Sequence, residues 1–304
     1  MRILITGSSG FVGQNLIKYL SAKFNFDITR VSRSELISAD FSDTFAVVHL
    51  AGKAHDLKNS SNANEYYKVN YELTKGLFDK FLSSDAKKFI FISSVKAAAD
   101  TVDGILTEDV FPSPVTDYGK SKLMAEQYIQ SQILPIGKFY YILRPCMIHG
   151  PGNKGNLNLL YKFVQKGIPY PLASFDNKRS FLSVGNLCFV IVKLLQQEVA
   201  SGIYNVADDD PLSTTDVIRL LANSSNKKPK LWAVCSRIIL GLAKLGDIFK
   251  LPLNTERLNK LTENYIVSNA KVKDALGVNL PLNVEDGLKI TASSFMAEVS
   301  RLEK

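Results

Sequence analysis

Apolar runs of two lengths alternate through the first half of the chain. Met1 to Ile5 is a short apolar run that ends in Thr6-Gly7, and Phe11 to Ala22 has the spacing of a helix. Ile28 to Val31 reads as a second strand and Ala46 to Leu50 (AVVHL) as a third. Tyr66 to Leu82 is helical, Lys88 to Ile92 (KFIFI) a strand, Tyr118 to Gln132 helical again and Tyr140 to Leu143 a further strand. Continuously apolar strands separated by helices imply a parallel sheet covered on both faces. The fold class expected is therefore α/β, a doubly wound parallel sheet with ligands beyond the strand C-terminal ends.

The pattern loosens after Gly150, where GPGNKGN and PYPLASFDNKRS read as loops. Phe181 to Leu195 looks like a strand and then a helix, and Gly202 to Val206 like one more strand. The expected division is a dinucleotide-binding domain over 1–149 plus about 179–206. A smaller, C-terminal substrate-binding lobe takes about 150–178 plus 207–304. The apolar stretch from Leu231 to Leu251 is interrupted by Arg237, Lys244, Asp247 and Lys250, too often for a membrane span. It reads as an amphipathic helix closing a domain, with a membrane-surface role as the other option. Trp232 is expected in the core of the second lobe.

With 46% hydrophobic and 22% charged residues, the chain has an ordinary globular composition, so an extended disordered or collagen-like protein is excluded. The formal net charge is +8, but the basic residues are scattered, with no block interleaved with aromatics. A nucleic-acid partner is not expected; a solvated basic surface suits an anionic small substrate. Cys146, Cys188 and Cys235 fit neither a disulfide framework nor a metal site and read as packing residues of a reducing compartment. The first strand is expected to begin at Arg2, and no signal peptide is expected. A cytoplasmic protein without stable membrane insertion is expected.

Candidate chemistry begins with Thr6-Gly-Ser-Ser-Gly-Phe-Val-Gly13, between the first strand and the first helix. Gly7 permits the tight turn, Gly10 lets a pyrophosphate approach the backbone, and Gly13 lets the helix sit close on the sheet. The helix N-terminus offers free N–H groups and a positive dipole. Tyr118 and Lys122, four apart in YGKSK, share one helix face. An ammonium beside a phenol is expected to lower the tyrosine pKa and make it a usable acid and base. Ser94, just past KFIFI, would hydrogen-bond a substrate oxygen from a strand end. No His, Cys, Asp and Glu set has metal-ligand spacing, and no metal is expected. His49 reads as a packed strand residue, His55 as a candidate for the substrate pocket, and Asp208 to Asp210 as a solvated acidic loop.

The set TGSSGFVG, HLAG, FISS, YGKSK, LRPCMIHGPG and RSFLSVGNL resembles the extended short-chain dehydrogenase/reductase family, with its Rossmann-type domain, over essentially the whole chain. Its best-known members are nucleotide-sugar epimerases, dehydratases and 4-ketoreductases. The resemblance implies Ser94, Tyr118 and Lys122 as the catalytic set, with Ser94 and Tyr118 also touching substrate. It implies Leu50, Ala51 and Gly52 beneath the cofactor, Asp40 and Phe41 at the adenine edge, and Pro145 to Ile148 beside the nicotinamide. Phe11 and Val12 belong to the pyrophosphate loop, and Asn70 would support the site. Arg179 looks like the arginine that binds a substrate phosphate, with Lys154 as the next candidate, and Asn156 like a substrate-lobe contact. Ala97 to Ala99 replace a common Val-Tyr-Gly. His149 and Asn186 stand where tyrosine and aspartate are usual.

Two local features bear on the reaction. A dehydratase of this type carries an Asp-Glu pair after the catalytic serine or threonine; here Val95 and Lys96 follow Ser94. At the end of the second strand, NAD would call for an acidic residue, whereas Ser32 and Arg33 suit the 2′-phosphate of NADP(H). An NADPH-dependent reductase of a UDP-linked 4-keto-6-deoxy sugar is expected, in surface-polysaccharide precursor synthesis. A 4-epimerase of the UDP-glucose or UDP-N-acetylglucosamine type, with NAD, is the alternative, and a cofactor-binding protein without turnover is a third. A homodimer is implied only by analogy.

Overall fold

The computed structural model describes residues 1–32, 35, 39–53, 62–153, 156–249 and 254–302. In chain order the elements begin with β1 (Arg2–Thr6), α1 (Phe11–Lys23), β2 (Asp27–Val31) and β3 (Thr44–His49). There follow α2 (Ala63–Tyr66), a π-helical turn (Tyr67–Glu72), α3 (Leu73–Ser83), β4 (Lys88–Ile92), β5 (Ile105–Leu106), α4 (Asp117–Ser131), β6 (Phe139–Pro145) and β7 (Met147–His149). Then come α5 (Asn156–Gln165), β8 (Phe181–Ser183), α6 (Val184–Gln196), β9 (Gly202–Val206), α7 (Thr214–Ser224) and α8 (Ser236–Phe249). The chain closes with α9 (Thr255–Thr262), β10 (Ile266–Val267), α10 (Ala270–Leu276) and α11 (Val284–Leu302).

The central sheet is parallel, in the order β2-β1-β3-β4-β6-β9. Successive side chains of a strand face opposite sides. Ile3 and Ile5 therefore join α1 and α6 in one core layer, while Leu4, Val47, Phe89 and Phe91 join α3 and α4 in the other. Both faces are covered, as the unbroken apolar strands require. The chain winds outward from β1 to β2, then crosses to the other side of β1 to place β3. The strand order thus reverses between β1 and β3, where Thr6 is opposite His49. A crevice opens past the strand ends at such a reversal. Lys88 is buried at the start of β4, where its ammonium donates to the carbonyls of Leu194, Leu195 and Gln197 and closes the end of α6.

A separate apolar cluster lies beyond the sheet. It is built by Leu157, Tyr161 and Val164 of α5, Val217, Ile218 and Leu221 of α7, and Leu288, Ala292 and Phe295 of α11. Three expectations fail here. Trp232 is 59% exposed, because residues 231–233 run extended beside Tyr170 and Leu172, and Leu231 faces the cluster while its neighbour faces out. Cys235 is exposed, unlike Cys146 and Cys188. Asp208 is buried rather than solvated: it accepts from the Ser183 amide at 2.9 Å and from Asn186 Nδ2 at 2.7 Å. Asn186 thus stands where an aspartate was expected and binds the aspartate that the acidic run supplies.

Candidate active site

The glycine loop leaves β1 directly at the strand reversal. Gly7 adopts φ +68°, and a Cβ there would lie 2.6 Å from the Ala51 amide nitrogen. A Cβ on Gly13 would lie 2.3 Å from the Gly7 carbonyl oxygen. Only glycine lets the turn, the first turn of α1 and the segment after β3 come this close. The Gly10 amide closes the turn onto the Gly7 carbonyl at 3.0 Å. Gly10 caps α1 with no side-chain hydrogen bond, so no side chain competes for the amides of its first turn. Such a side-chain-free cradle fits the pyrophosphate of a dinucleotide. Phe11 and Val12 pack half-buried against the core behind it.

The segment Leu50 to Gly52 is held by a chain of hydrogen bonds through His49. The Ala51 amide donates to Thr6 Oγ1 at 3.2 Å, and that hydroxyl lies 2.7 Å from His49 Nδ1. His49 Nε2 is 2.9 Å from Thr74 Oγ1, which in turn donates to the Asn70 carbonyl at 2.8 Å. With these directions the ring carries its proton on Nε2. Burial, and secondarily the Lys122 charge, push the His49 pKa down to about 3, so the ring stays neutral.

Asn70 sits in the π-helical turn, which breaks the continuous helix expected from Tyr66 to Leu82. Its side-chain oxygen accepts from the Lys53 amide at 2.7 Å, and its nitrogen donates to the Lys53 carbonyl and to Ser121 Oγ. It therefore ties the segment after Gly52 to α4. An inserted π turn is a common device for re-aiming one helical side chain.

Ser94, Tyr118 and Lys122 converge. The Ser94 hydroxyl is near enough to the Tyr118 phenol to hold its pKa down against burial. The Lys122 ammonium donates to the Ile92 carbonyl at 2.8 Å and lies 4.7 Å above the Phe91 ring. A Cβ on Gly52 would come within 3.1 Å of Lys122 Nζ and 3.2 Å of Asn70 Oδ1, so the loop after β3 touches the same point. Burial pushes the Lys122 pKa down to about 8, against the Glu126 charge, which raises it. Burial also raises Tyr118, with the Ser94 hydrogen bond opposing. This corrects the expected lowering by Lys122: in the protein alone, desolvation of the phenol comes first.

Several contributors to this geometry escaped the sequence reading. A Cβ on Gly119 would lie 2.3 Å from the Lys96 carbonyl, so glycine after Tyr118 is what lets α4 press against the turn that carries Ser94. Thr116 caps α4 by accepting the Gly119 amide at 3.2 Å, and the Asp100 carboxylate accepts the amides of Val115 and Thr116. Glu126, one turn beyond Lys122, is buried and paired with Arg144: Nε to Oε1 3.0 Å, Nη2 to Oε2 2.5 Å. Ser93 Oγ donates to the same carboxylate. The i, i+4, i+8 spacing of Tyr118, Lys122 and Glu126 was the available signal.

At the far end of the crevice, Ser32 follows β2, and both its amide and its hydroxyl donate to Glu35 Oε2, at 2.9 and 2.6 Å. These bonds hold the Glu35 carboxyl below its usual range. The sequence reading missed this carboxylate. Arg33 and His55 lie outside the described residues, as does Lys154. Asp40 is exposed and accepts from the Ser42 amide at 2.9 Å, whereas the Phe41 side chain is buried with Leu4, Val31 and Val47.

On the other side, Pro145 ends β6 buried, and Ile148 is half-buried in β7. Asn156 opens α5. Arg179 Nη2 donates to Glu263 at 2.7 Å, while its Nε is buried with no hydrogen-bond partner. Its backbone bridges Leu212 and Tyr265, and the Tyr265 hydroxyl donates to the Ala99 carbonyl at 2.7 Å. Arg179 is thereby anchored to the turn that follows Ser94. His149 is buried, with Nδ1 2.8 Å from Thr291 Oγ1, and belongs to the packing of α11.

The sequence model of the NAD-dependent epimerase/dehydratase family matches residues 3–207. A UDP-glucose 4-epimerase of Vibrio cholerae is 32% identical, over 98% of this chain and 97% of its own. An Escherichia coli O157:H7 4-epimerase of N-acetyl-alpha-D-glucosaminyl-diphospho-ditrans,octacis-undecaprenol is 27% identical over 97% and 90%. A GDP-6-deoxy-D-mannose reductase of Pseudomonas aeruginosa is 27% identical over 73% and 79%. Among solved structures, RMD from Pseudomonas aeruginosa, complexed with NADPH, superposes with a TM-score of 0.75 at 22% identity, over 97% of this chain and 99% of that one. The UDP-glucose 4-epimerase of Thermotoga maritima, with UDP-glucose, gives 0.77 at 20% identity, over 98% and 100%.

Proposed function

The chain belongs to the NAD-dependent epimerase/dehydratase family, and we propose that it acts at C4 of a nucleotide-activated sugar, with Ser94, Tyr118 and Lys122 as its catalytic residues. The observation that carries this reading is the Ser94 hydroxyl acting on the Tyr118 phenol, beside a buried Lys122 whose ammonium is held by the Ile92 carbonyl and leaves little room for a Cβ on Gly52. A bound nicotinamide dinucleotide supplies or takes up the hydride. Gly7, Gly10, Phe11, Val12 and Gly13 would hold its pyrophosphate end. Leu50 to Gly52 would lie beneath it, Ser32, Asp40 and Phe41 at its adenosine end, and Pro145 and Ile148 beside the nicotinamide.

Tyr118 exchanges a proton with the sugar O4, and Ser94 hydrogen-bonds the same oxygen. Lys122 places a positive charge where the phenolate forms, which favours the charged state of a tyrosine that burial otherwise keeps neutral. Elimination of water would need a carboxylic acid and base after Ser94. Val95 is buried there, and the Lys96 ammonium donates to the Asp100 carbonyl and lies 4.2 Å over the Tyr265 ring. Dehydration is not supported.

Within C4 chemistry the reading is reduction of a UDP-linked 4-keto-6-deoxy sugar by NADPH, in surface-polysaccharide precursor synthesis. It rests on Ser32 in place of a carboxylate directly after β2, on Arg33 next to it in sequence, and on similarity to a sugar-nucleotide reductase. C4 epimerisation with NAD is the second reading. The Glu35 carboxylate beside Ser32 favours it, since it would accept from ribose hydroxyls and repel a 2′-phosphate, as does the full-length similarity to a UDP-glucose 4-epimerase.

Steady-state kinetics with NADPH and NADH on a UDP-4-keto-6-deoxy-N-acetylhexose separates the two. NADPH is expected to be preferred. Equal use of NADH, together with interconversion of UDP-glucose C4 epimers without added reductant, would favour the second reading.

A further inference from the structure

Among the described residues, helix α8 carries an apolar stripe that is about half exposed or more. Only Ile239, Ala243 and Gly246 of its 14 residues are buried, an i, i+4, i+7 seam. Ile239 and Ala243 of that seam enter the cluster of Leu258, Val217 and Leu221. Beside that seam a second stripe repeats at i, i+4, i+7, i+11. It consists of Ile238, Leu242, Leu245 and Phe249, exposed by 57, 50, 48 and 68%. Ile248 and Leu240 are exposed as well. A surface helix of a soluble domain normally turns its one apolar stripe inward. This helix has two, and the larger side chains face water.

The surroundings of the stripe carry a sign. Lys227, Lys228, Lys230, Arg237 and Lys244 are all exposed. Asp247 is the only carboxylate between residues 226 and 249, and it is engaged by the amide and hydroxyl of Thr255. At 100° per residue, Arg237 and Lys244 lie about 110–130° around the helix from the stripe, where long cationic side chains can reach past an apolar boundary to its polar side. Trp232, the chain's single tryptophan, is exposed four residues before the helix. An apolar face, flanking cations and an interfacial aromatic together suit a helix lying in the plane of an anionic bilayer. A second copy packed symmetrically on this face would bring the five cations of each copy together, with one engaged carboxylate apiece. No helix among the described residues is long and apolar enough to cross a membrane, so docking is peripheral.

We propose that α8 is a membrane-docking surface: Ile238, Leu242, Leu245 and Phe249 enter the headgroup region of an anionic bilayer, and Lys227, Lys228, Lys230, Arg237 and Lys244 bind its headgroups. The proposal is independent of which sugar is turned over. Helix α8 packs on α9, which runs into Glu263, the partner of Arg179, so the docked face and this arginine belong to the same part of the molecule.

The test is flotation of the full chain with vesicles of phosphatidylcholine alone, or of equal parts phosphatidylcholine and phosphatidylglycerol. The protein is expected to float with the anionic vesicles only, less so in high salt, and Trp232 emission is expected to shift to shorter wavelength. The double variant Leu242→Glu/Leu245→Glu changes only half-exposed side chains and should melt like the wild type while losing about tenfold or more in vesicle binding. Lys227→Glu/Lys228→Glu should weaken binding to the anionic vesicles. Absence of flotation with anionic vesicles overturns the proposal, as does flotation unchanged in the Leu242→Glu/Leu245→Glu variant. So does a wild-type dimer that this variant converts to a monomer, because a second copy would then cover the stripe.

Discussion

Lys122 shows what the site costs a single residue. Its ammonium is buried and its pKa is pushed down to about 8 from 10.5, chiefly by desolvation. The folded value lies below the unfolded one, so the charge is a destabilising load that is fully present below about pH 8. It is relieved as the pH rises toward the unfolded value. At about 1.36 kcal/mol per unit, Lys122→Met should stabilise the protein by roughly 1–3 kcal/mol near neutral pH while reducing turnover severely. Thermal melts beside rate assays would check it; a lower melting temperature would mean that the bond to Ile92 outweighs desolvation. Tyr118→Phe should lower the rate by about a hundredfold or more and leave cofactor affinity nearly intact, because the phenol moves the proton but is one of many contacts. Wild-type rates in that variant would place the proton on another group. Tyr118, Lys122 and Ser94 were legible because their chemistry needs fixed residue types at fixed spacing. Glu126, Arg144 and Glu35 were not, because each acts through a partner that only the folded chain brings near.

The elements divide along similar lines. Strands buried on both faces announce themselves as unbroken apolar runs, and each strand of the central sheet was readable to within two or three residues. The π-helical turn at Tyr67–Glu72 was not, since one extra residue in a turn hardly disturbs a 3.6-residue pattern. Trp232 was misplaced because a large aromatic in an extended segment buries or exposes itself according to a pairing with Tyr170 that the local sequence does not encode. Glycines permit a direct comparison. Gly13→Ala puts a methyl 2.3 Å from the Gly7 carbonyl and should destabilise the protein and abolish dinucleotide binding. Gly76→Ala, exposed inside α3 with nothing within 4 Å, should stabilise it by about 0.5–1 kcal/mol and leave binding unchanged. Calorimetric titration with NADPH and NADH, alongside melting curves, reads both outcomes.

At the level of the whole molecule, the β1–β3 strand reversal sets the glycine cradle beside the Ser94 turn, and Tyr265 carries Arg179 back to that turn from the far part of the chain. That long-range link was invisible in the sequence, although RSFLSV pointed to Arg179 by resemblance. If Arg179 binds a substrate phosphate, it does so with the Glu263 carboxylate on its Nη2 drawing on the same charge. Arg179→Ala should raise the sugar-nucleotide KM about tenfold with little change for the cofactor, and Glu263→Gln should lower it modestly. Unchanged KM values would move the phosphate site elsewhere. In the proposed reaction a hydride reaches C4 while Tyr118 protonates O4. NADPH deuterated at the transferring position, incubated with a UDP-4-keto-6-deoxy-N-acetylhexose and followed by NMR, tests this most directly. One deuterium at C4 of the reduced sugar, with one NADPH oxidised per product, is the predicted result. A reduced sugar without label at C4, or C4 epimers formed from UDP-glucose with no added reductant and no label uptake, would contradict it.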